Sequence, residues 1–441
     1  MEEKKQNSPG EISIFWFRRD FRLHDNKGLF YALKNNSNVL PVFIFDSEIL
    51  DHLSSADKRV EFIHQEIQSL QKALKKTGSS IYVEHGNPIM VFKNILSRYS
   101  VGQVFFNHDY EPYALERDKE ITAFLENKGI KVHTFKDQVI AEKDNILKKD
   151  GKPYTVYTPY MKKWKEKYTA EQIEKYPSEK HKNNFLKVNP LKTPTLKEMG
   201  FQSTGQQFPE RSFNEELIRN YHNTRDLPSI KGTSRLSIHF RFGTISIREA
   251  FRKAFELNET WLNELIWREF YMMILWHFPG VTDHAFKTAY DNIEWRNNEK
   301  EFTAWYRGKT GYPMVDAGLR ELNETGYMHN RVRMIAASFL TKHLLIDWRW
   351  GESYFAEKLL DYELSSNNGG WQWAAGSGCD AAPYFRIFNP EIQAKKFDPE
   401  LKYIKRWVPE LGRQDYPQPI VEHKFARERA LYNYKKALNK K

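Results

Sequence analysis

Cysteine is almost missing from this 441-residue chain, in which Cys379 stands alone. No intrachain disulfide and no cysteine-rich metal site can form, which points to a reducing compartment, the cytoplasm. The chain also lacks any apolar run of about 18 residues, the length a membrane-spanning helix needs, so no membrane partner is expected. The opening MEEKKQNSPG has no apolar signal core. No His/Asp/Glu cluster has metal-ligand spacing, so no metal is expected. There is neither a G-x-G-x-x-G nor a phosphate-loop lysine motif to announce a nucleotide.

Hydrophobic residues make up 40% of the chain and charged residues 28%, as in folded, water-soluble proteins. Aromatics are abundant at 15%, with 12 Trp, 23 Tyr and 30 Phe. Such a stock fills a core, and it can also wall a pocket for a flat ligand. The formal charge is +11, which favours polyanionic partners such as nucleic acid. The length implies two or three domains.

Three textures follow one another. Over residues 1–135, apolar runs at 12–17, 39–45, 81–84, 104–106 and 131–135 alternate with helical spacing at 61–74 and 115–125. Gly78 and Gly129 sit where helices end before strands. The alternation predicts α/β structure: a five-stranded, doubly wound parallel sheet domain. Residues 136–211 are rich in Lys and Pro and read as a linker running over the surface, its charge a solvated face. From 212 to 441 the spacing is all-helical, notably at 261–277 and 331–343. Nine of the 12 Trp fall between 261 and 373. The tail beyond 420 is basic and ends in Lys440-Lys441.

Four stretches carry chemistry. Lys231-Gly-Thr-Ser-Arg-Leu-Ser237 offers hydroxyls, backbone N–H groups and a guanidinium to a phosphate; alone it reads first as an N-cap. On a helix, Glu264, Trp267, Arg268 and Tyr271 share a face. The carboxylate can meet a base edge while the indole stacks on the base, or the face can simply be an amphipathic one with Trp267 in a core. In Met328-His-Asn-Arg-Val-Arg-Met334, Asn330 and Met334 share a face and Arg331 can reach a phosphate; His329 reads as structural. The richest stretch is Asp361 to Pro390, where Asn367-Asn-Gly-Gly permits close backbone approach and Trp371 and Trp373 follow at once.

Together, WLNELIWREFY (261–271), GYPMVDAGLREL (311–322), MHNRVRM (328–334) and NNGGWQWAAGSGCDAAPYFRIFNP (367–390) resemble the photolyase/cryptochrome family. The similarity is closest to class I cyclobutane pyrimidine dimer photolyases and runs from about residue 12 to 408. The resemblance implies an α/β domain, a linker and a helical domain holding FAD, reduced and anionic in the active form. It implies that Tyr221, Thr233, Ser234, Arg235, Leu236 and Ser237 hold the FAD phosphates and ribityl chain. Trp261, Arg268 and Arg333 would line the pocket. Asp361, Tyr362 and Glu363 would face the flavin edge, with Glu363 standing where the family commonly has Asp. Asn367 would face flavin N5. Glu264, Trp267, Asn330, Met334 and Trp373 would bind the dimer, and Arg225, Arg331 and Gln393 the DNA. Trp371, Trp348 and Trp295 would relay electrons to the flavin.

The expected activity is light-driven repair of pyrimidine dimers in DNA by a monomer without an obligate protein partner. A flipped dimer would take an electron from excited reduced FAD; base flipping by photolyases is a known mode of DNA recognition. Members of the family carry a second, antenna chromophore (folate, deazaflavin or flavin) or none; where one is present, the resemblance implies that it touches the stretch Asn107-His-Asp-Tyr-Glu-Pro112. The alternative is a light-sensing cryptochrome, against which stand Asn367, MHNRVRM and the short C-terminal region. Six-four photoproduct repair is disfavoured by the Met-His-Asn order. A non-enzymatic DNA binder has no use for the FAD residues.

Overall fold

The computed structural model describes residues 10–439; most of the polar opening stretch and the closing Lys440-Lys441 lie outside them. The chain forms two compact units, each assembled from three segments. The first comprises Met1–Glu142, Tyr168–Ser212 and Leu236–Glu256, the second Lys143–Lys167, Phe213–Arg235 and Leu257–Lys441.

In the first unit, strands β1 (Ile12–Phe17), β2 (Val39–Asp46), β3 (Tyr82–Gly86), β4 (Val101–Asn107) and β5 (Lys131–Phe135) form one parallel sheet ordered β3-β2-β1-β4-β5. The continuous apolar runs of β1 and β2 are buried throughout, as both faces of a doubly wound sheet require. The edge strand β5 exposes Lys131 and Thr134. Helices α1 (Lys27–Asn35), α2 (Lys58–Lys75), α3 (Pro88–Arg98) and α4 (Pro112–Glu126) alternate with the strands. Asn26, Asp57 and Asn87 cap the first three of these, each accepting a backbone N–H of the first turn. Gly78 and Gly129 take left-handed φ of 73° and 77° after α2 and α4.

A buried ionic knot explains why the linker expected over 136–211 does not stand apart. Asp137 pairs with Arg22 and, at 2.8 Å, with Arg248, which reaches Asp25 at 3.1 Å. Asp25 also accepts the Tyr176 N–H at 2.8 Å and the Ser246 hydroxyl at 2.6 Å. Residues 168–212 and most of helix Ile247–Leu257 are thereby tied to the sheet unit. The expected cuts at 135/136 and 211/212 and the observed segments therefore do not coincide.

The first half of the same stretch joins the helical unit. On α5 (Tyr157–Lys167), Tyr157, Tyr160 and Trp164 are buried. The Trp164 indole N–H donates to Glu269 Oε2 at 2.7 Å on α6 (Glu259–His277). The unit continues with α7 (Pro313–Thr325), α8 (Asn330–Ser338), α9 (Trp348–Lys358), α10 (Leu364–Ala375) and α11 (Pro390–Phe397). Its core gathers Trp305, Phe339, Trp348, Phe355 and Trp371. The periodic stretch 331–343 is not one α-helix, because after Ser338 it widens into a π-helical turn, Phe339–His343. The Leu344 N–H donates to the Phe339 carbonyl five residues back, at 3.1 Å.

Candidate active site

Helix α6 begins at the cap Asn258, whose side chain accepts the Trp261 N–H and donates to the Arg219 carbonyl. This ties Trp261, buried, to the segment carrying Tyr221 and Arg225. One turn further, Glu264 meets Arg225 at 2.7 Å, and the Arg225 guanidinium lies 5.5 Å from the Tyr221 ring. Burial pushes the Glu264 carboxyl up, against the pull of Arg225. Trp267, the next residue on that face, stays half-exposed.

Asn330, exposed, opens α8, and His329 caps that helix through Nδ1, which accepts the Arg331 N–H at 3.2 Å. His329 is thus structural, and burial drives its pKa down to about 4. Arg331 pairs with Asp226 at 2.7 Å, donates to the Met334 sulfur at 3.7 Å and lies over the Phe397 ring at 4.4 Å. Gln393 sits one turn before Phe397 on α11.

Two buried or nearly buried ion pairs and one amide form a second group. Arg333 pairs with Asp361 at 3.0 Å and donates from Nε to the Met328 carbonyl at 2.8 Å. Arg268 pairs with Glu363 at 3.3 Å, so the longer acid at 363 keeps a guanidinium partner. Tyr362, between the two acids, packs half-buried on the aromatic core. Asn367 donates its amide N–H to the Glu352 carboxylate at 2.8 Å and to the Glu352 carbonyl at 3.0 Å. This fixes its nitrogen toward α9.

The Thr233 hydroxyl bonds the Tyr327 hydroxyl at 3.1 Å, and half-exposed Arg235 lies over the Tyr327 ring at 4.4 Å, held at a left-handed φ of 52°. Gly232 is required here, because an added Cβ would meet the Thr224 carbonyl at 2.7 Å. Ser234 is half-buried. The helix that follows, Ser237–Arg241, has five residues. That is too short for a useful dipole, so anion affinity rests on the hydroxyls and Arg235 rather than on the helix start read from sequence. The unit boundary falls between Arg235 and Leu236, placing Leu236 and Ser237 in the first unit.

Trp371 and Trp348 are buried and Trp295 half-buried, all in one aromatic core. Gly351 admits the Trp371 ring, which approaches an added Cβ to 2.1 Å. Among the described residues these three indoles make no ring contact with one another. Trp371 instead touches Trp305 edge-on at 6.0 Å and Phe355 at 5.0 Å. Trp373 is half-buried and lines a pocket with Tyr271, Gly369, Cys379 and Asp380.

Sequence reasoning missed Trp305, Glu352, Asp226 and Tyr157, because each acts through a partner distant in the chain. The positions expected for the antenna have intrachain partners: Asn107 bonds Asp20 and Asn26, His108 and Tyr110 bond Glu142, and Asp109 and Glu111 pair with Arg19. Burial alone would raise the Asp109 carboxyl, but Arg19, Arg18 and Arg241 hold it well below the usual range.

A deoxyribodipyrimidine photo-lyase of Synechococcus sp. is 39% identical over 475 residues, covering 96% of this chain and 97% of its own. The chain belongs to the photolyase family. Residues 13–179 match DNA photolyase, and residues 261–415 match the FAD binding domain of DNA photolyase. A bacterial class III photolyase from Agrobacterium tumefaciens superposes with a TM-score of 0.85 at 33% identity, over 97% of this chain and 98% of that one. An archaeal photolyase from Sulfolobus tokodaii, solved with two FAD molecules, gives 0.83 at 34% identity, over 96% and 99%. The photolyase residues present fit FAD. Arg235 and the Thr233 and Ser234 hydroxyls suit a pyrophosphate, the Arg333–Asp361 and Arg268–Glu363 pairs suit the polar edge of a flat heterocycle, and Asn367 is a neutral amide oriented by Glu352.

Proposed function

We propose that this photolyase reopens cyclobutane pyrimidine dimers in DNA under light, with FAD held in the helical unit. The observation that carries the reading is the grouping of Arg225 with Glu264 and half-exposed Trp267, the latter two on α6 within the segment that matches the FAD binding domain. Held in its reduced, anionic form, FAD would supply the light-driven one-electron chemistry that the dimer needs to reopen.

The chain's own residues do the rest. Tyr221, Thr233, Ser234 and Arg235 grip the phosphates and ribityl chain. Trp261, Arg268 and Arg333 wall the pocket, and Asp361, Tyr362 and Glu363 address the flavin's polar edge. Asn367 presents a neutral amide, so position 367 adds no negative charge against the reduced ring. DNA docks on Arg225, Arg331 and Gln393, which orient the backbone without reading sequence. Trp267 and Trp373 stack on the flipped pyrimidines while Glu264, Asn330 and Met334 meet their edges. Burial raises the Glu264 carboxyl against the pull of Arg225, and the pair is open enough for the acid to face a base edge. Trp295, Trp348 and Trp371 carry electrons inward when the cofactor must be reduced.

The net charge of +11 supports a polyanionic substrate. We read the working form as a cytoplasmic monomer; the single cysteine fits a reducing compartment, and no helix among the described residues is long and apolar enough to cross a membrane. The test is illumination of the chemically reduced holoenzyme with an oligonucleotide carrying one thymine dimer. Intact thymines should appear in light and not in darkness, and their absence in light would overturn the reading.

A further inference from the structure

We propose that Tyr157 is a positioning residue for lesion recognition, its ring stacked on Trp267 so as to fix the indole plane that receives a flipped pyrimidine pair. This rests on the photolyase reading above and adds to it a residue from outside the segments that carried that reading.

The two rings lie face to face, with centroids 3.6 Å apart and planes 7° from parallel. Among the described residues no other ring covers Trp267 in that way: Phe270 meets it edge-on at 5.6 Å and Tyr271 is tilted at 5.5 Å. Trp267 is half-exposed while Tyr157 is 7% exposed. One ring is thus the back wall and the other the working surface.

Tyr157 is itself held at three points. Its hydroxyl donates to the Asn263 carbonyl at 2.8 Å, one turn before Trp267 on the same helix. Its backbone N–H donates to Asp380 Oδ2 at 3.0 Å. Its ring meets Phe270 edge-on at 5.8 Å. Burial, reinforced by the charge of Glu264, raises the phenol well above its ordinary value, so the donor proton stays in place. Three turns of α5 lock the wall from behind, with Trp164 bonded to Glu269.

The physical consequence is preorganisation. An indole at the mouth of a site loses rotamer freedom when a base stacks on it, and that loss subtracts from affinity. A face-to-face neighbour removes the freedom beforehand. Asp380, which holds the Tyr157 N–H, follows directly after the segment bearing Trp373 and Cys379, so both tryptophans that face the lesion in the proposed function are referenced to one short loop.

The test compares Tyr157→Leu, Tyr157→Phe and Trp267→Ala holoenzymes for affinity toward an oligonucleotide with one thymine dimer and toward its undamaged twin. Tyr157→Leu should lose about tenfold in dimer affinity, the order of one weakened base stack. Affinity for undamaged DNA and bound-flavin content should hold, and Tyr157→Phe should keep nearly all of the discrimination. If Tyr157→Leu does not accumulate as folded protein, Tyr157→Met carries the same expectation. Unchanged dimer affinity in the Leu or Met variant, with a loss in Trp267→Ala, overturns the proposal and spares the photolyase reading. An equal loss toward both DNAs assigns Tyr157 to packing alone and also overturns it. No loss in Trp267→Ala removes the lesion site and the proposal together.

Discussion

The two units use their buried polar chemistry in opposite ways. In the α/β unit, buried charge closes on itself: Asp25, Asp137, Arg22 and Arg248 pair with one another and with backbone groups. In the helical unit, charged pairs such as Arg225–Glu264 and Arg331–Asp226 lie partly open, with side-chain exposures of 24%/30% and 19%/42%. The aromatic inventory divides the same way, for Trp16 is the only one of 12 tryptophans in the first unit. Closed ion pairs hold segments in register, whereas half-open pairs beside half-buried rings such as Trp267 can exchange partners with a ligand.

The largest expected effect that sharpens this contrast is on photochemistry. Trp371→Phe should abolish light-driven flavin reduction and leave repair by chemically reduced enzyme intact. Equal photoreduction in the variant removes the relay and makes this core ring mere packing. In the α/β unit, Asp137→Ala leaves buried Arg22 without its carboxylate and Arg248 with Asp25 alone, and breaking a buried pair typically costs about 3–5 kcal/mol. Thermal unfolding should register that loss while the flavin photochemistry of the folded fraction stays as it was; a loss under about 1 kcal/mol would deny the knot its structural role.

A middle-sized effect comes from pH. Burial drives His329 down to about 4, and burial with His423 beside it drives His343 down to about 3. In the unfolded chain histidine titrates near about 6.5. The unfolded state therefore binds more protons below that pH, so stability is full above it and is lost as pH falls toward 4. Tryptophan fluorescence, dominated by the helical unit, should show Tm falling steadily from pH 7 to pH 5. A constant Tm over that window would count against two neutral, buried imidazoles. The smallest effect tests exchangeability of the half-open pairs. Asp226→Asn releases Arg331 from a pair worth at most about 1 kcal/mol, so DNA affinity should rise by a few-fold, as a titration at fixed salt would show. Weaker binding would mean that the acid orients the arginine rather than competing for it.

Much of the fold could be read from the residues. The five apolar runs became the five strands, because a sheet covered on both faces needs unbroken hydrophobic segments and few other structures produce them. Gly78 and Gly129 marked helix ends because only that conformation needs them. The π turn at Phe339–His343 was invisible, since a shift from four- to five-residue hydrogen bonding leaves the apolar spacing almost unchanged. The fate of residues 136–211 was equally hidden. Its lysines dominate the composition, yet Tyr157, Tyr160 and Trp164 decide where its first part packs, and Tyr176, through one backbone N–H to Asp25, helps decide the second. At the site, Glu264, Arg268, Arg333 and Asn367 announced themselves by motif, while their partners Arg225, Glu363, Asp361 and Glu352 became partners only through tertiary contact.

The interleaving of segments bears on how the chain can be made. A ribosome that has released residues 1–142 has delivered all five strands but neither Ser246 nor Arg248, the groups that satisfy Asp25. The α/β half therefore waits, with buried charge unpaired, until synthesis has passed residue 256, by which time the first segment of the helical half is already out. Domain-by-domain folding during translation is the ordinary expectation for a chain of this size, and here it is unavailable. Fragments cut at either apparent boundary would be poor starting points for expression, and the two halves should mature late and nearly together.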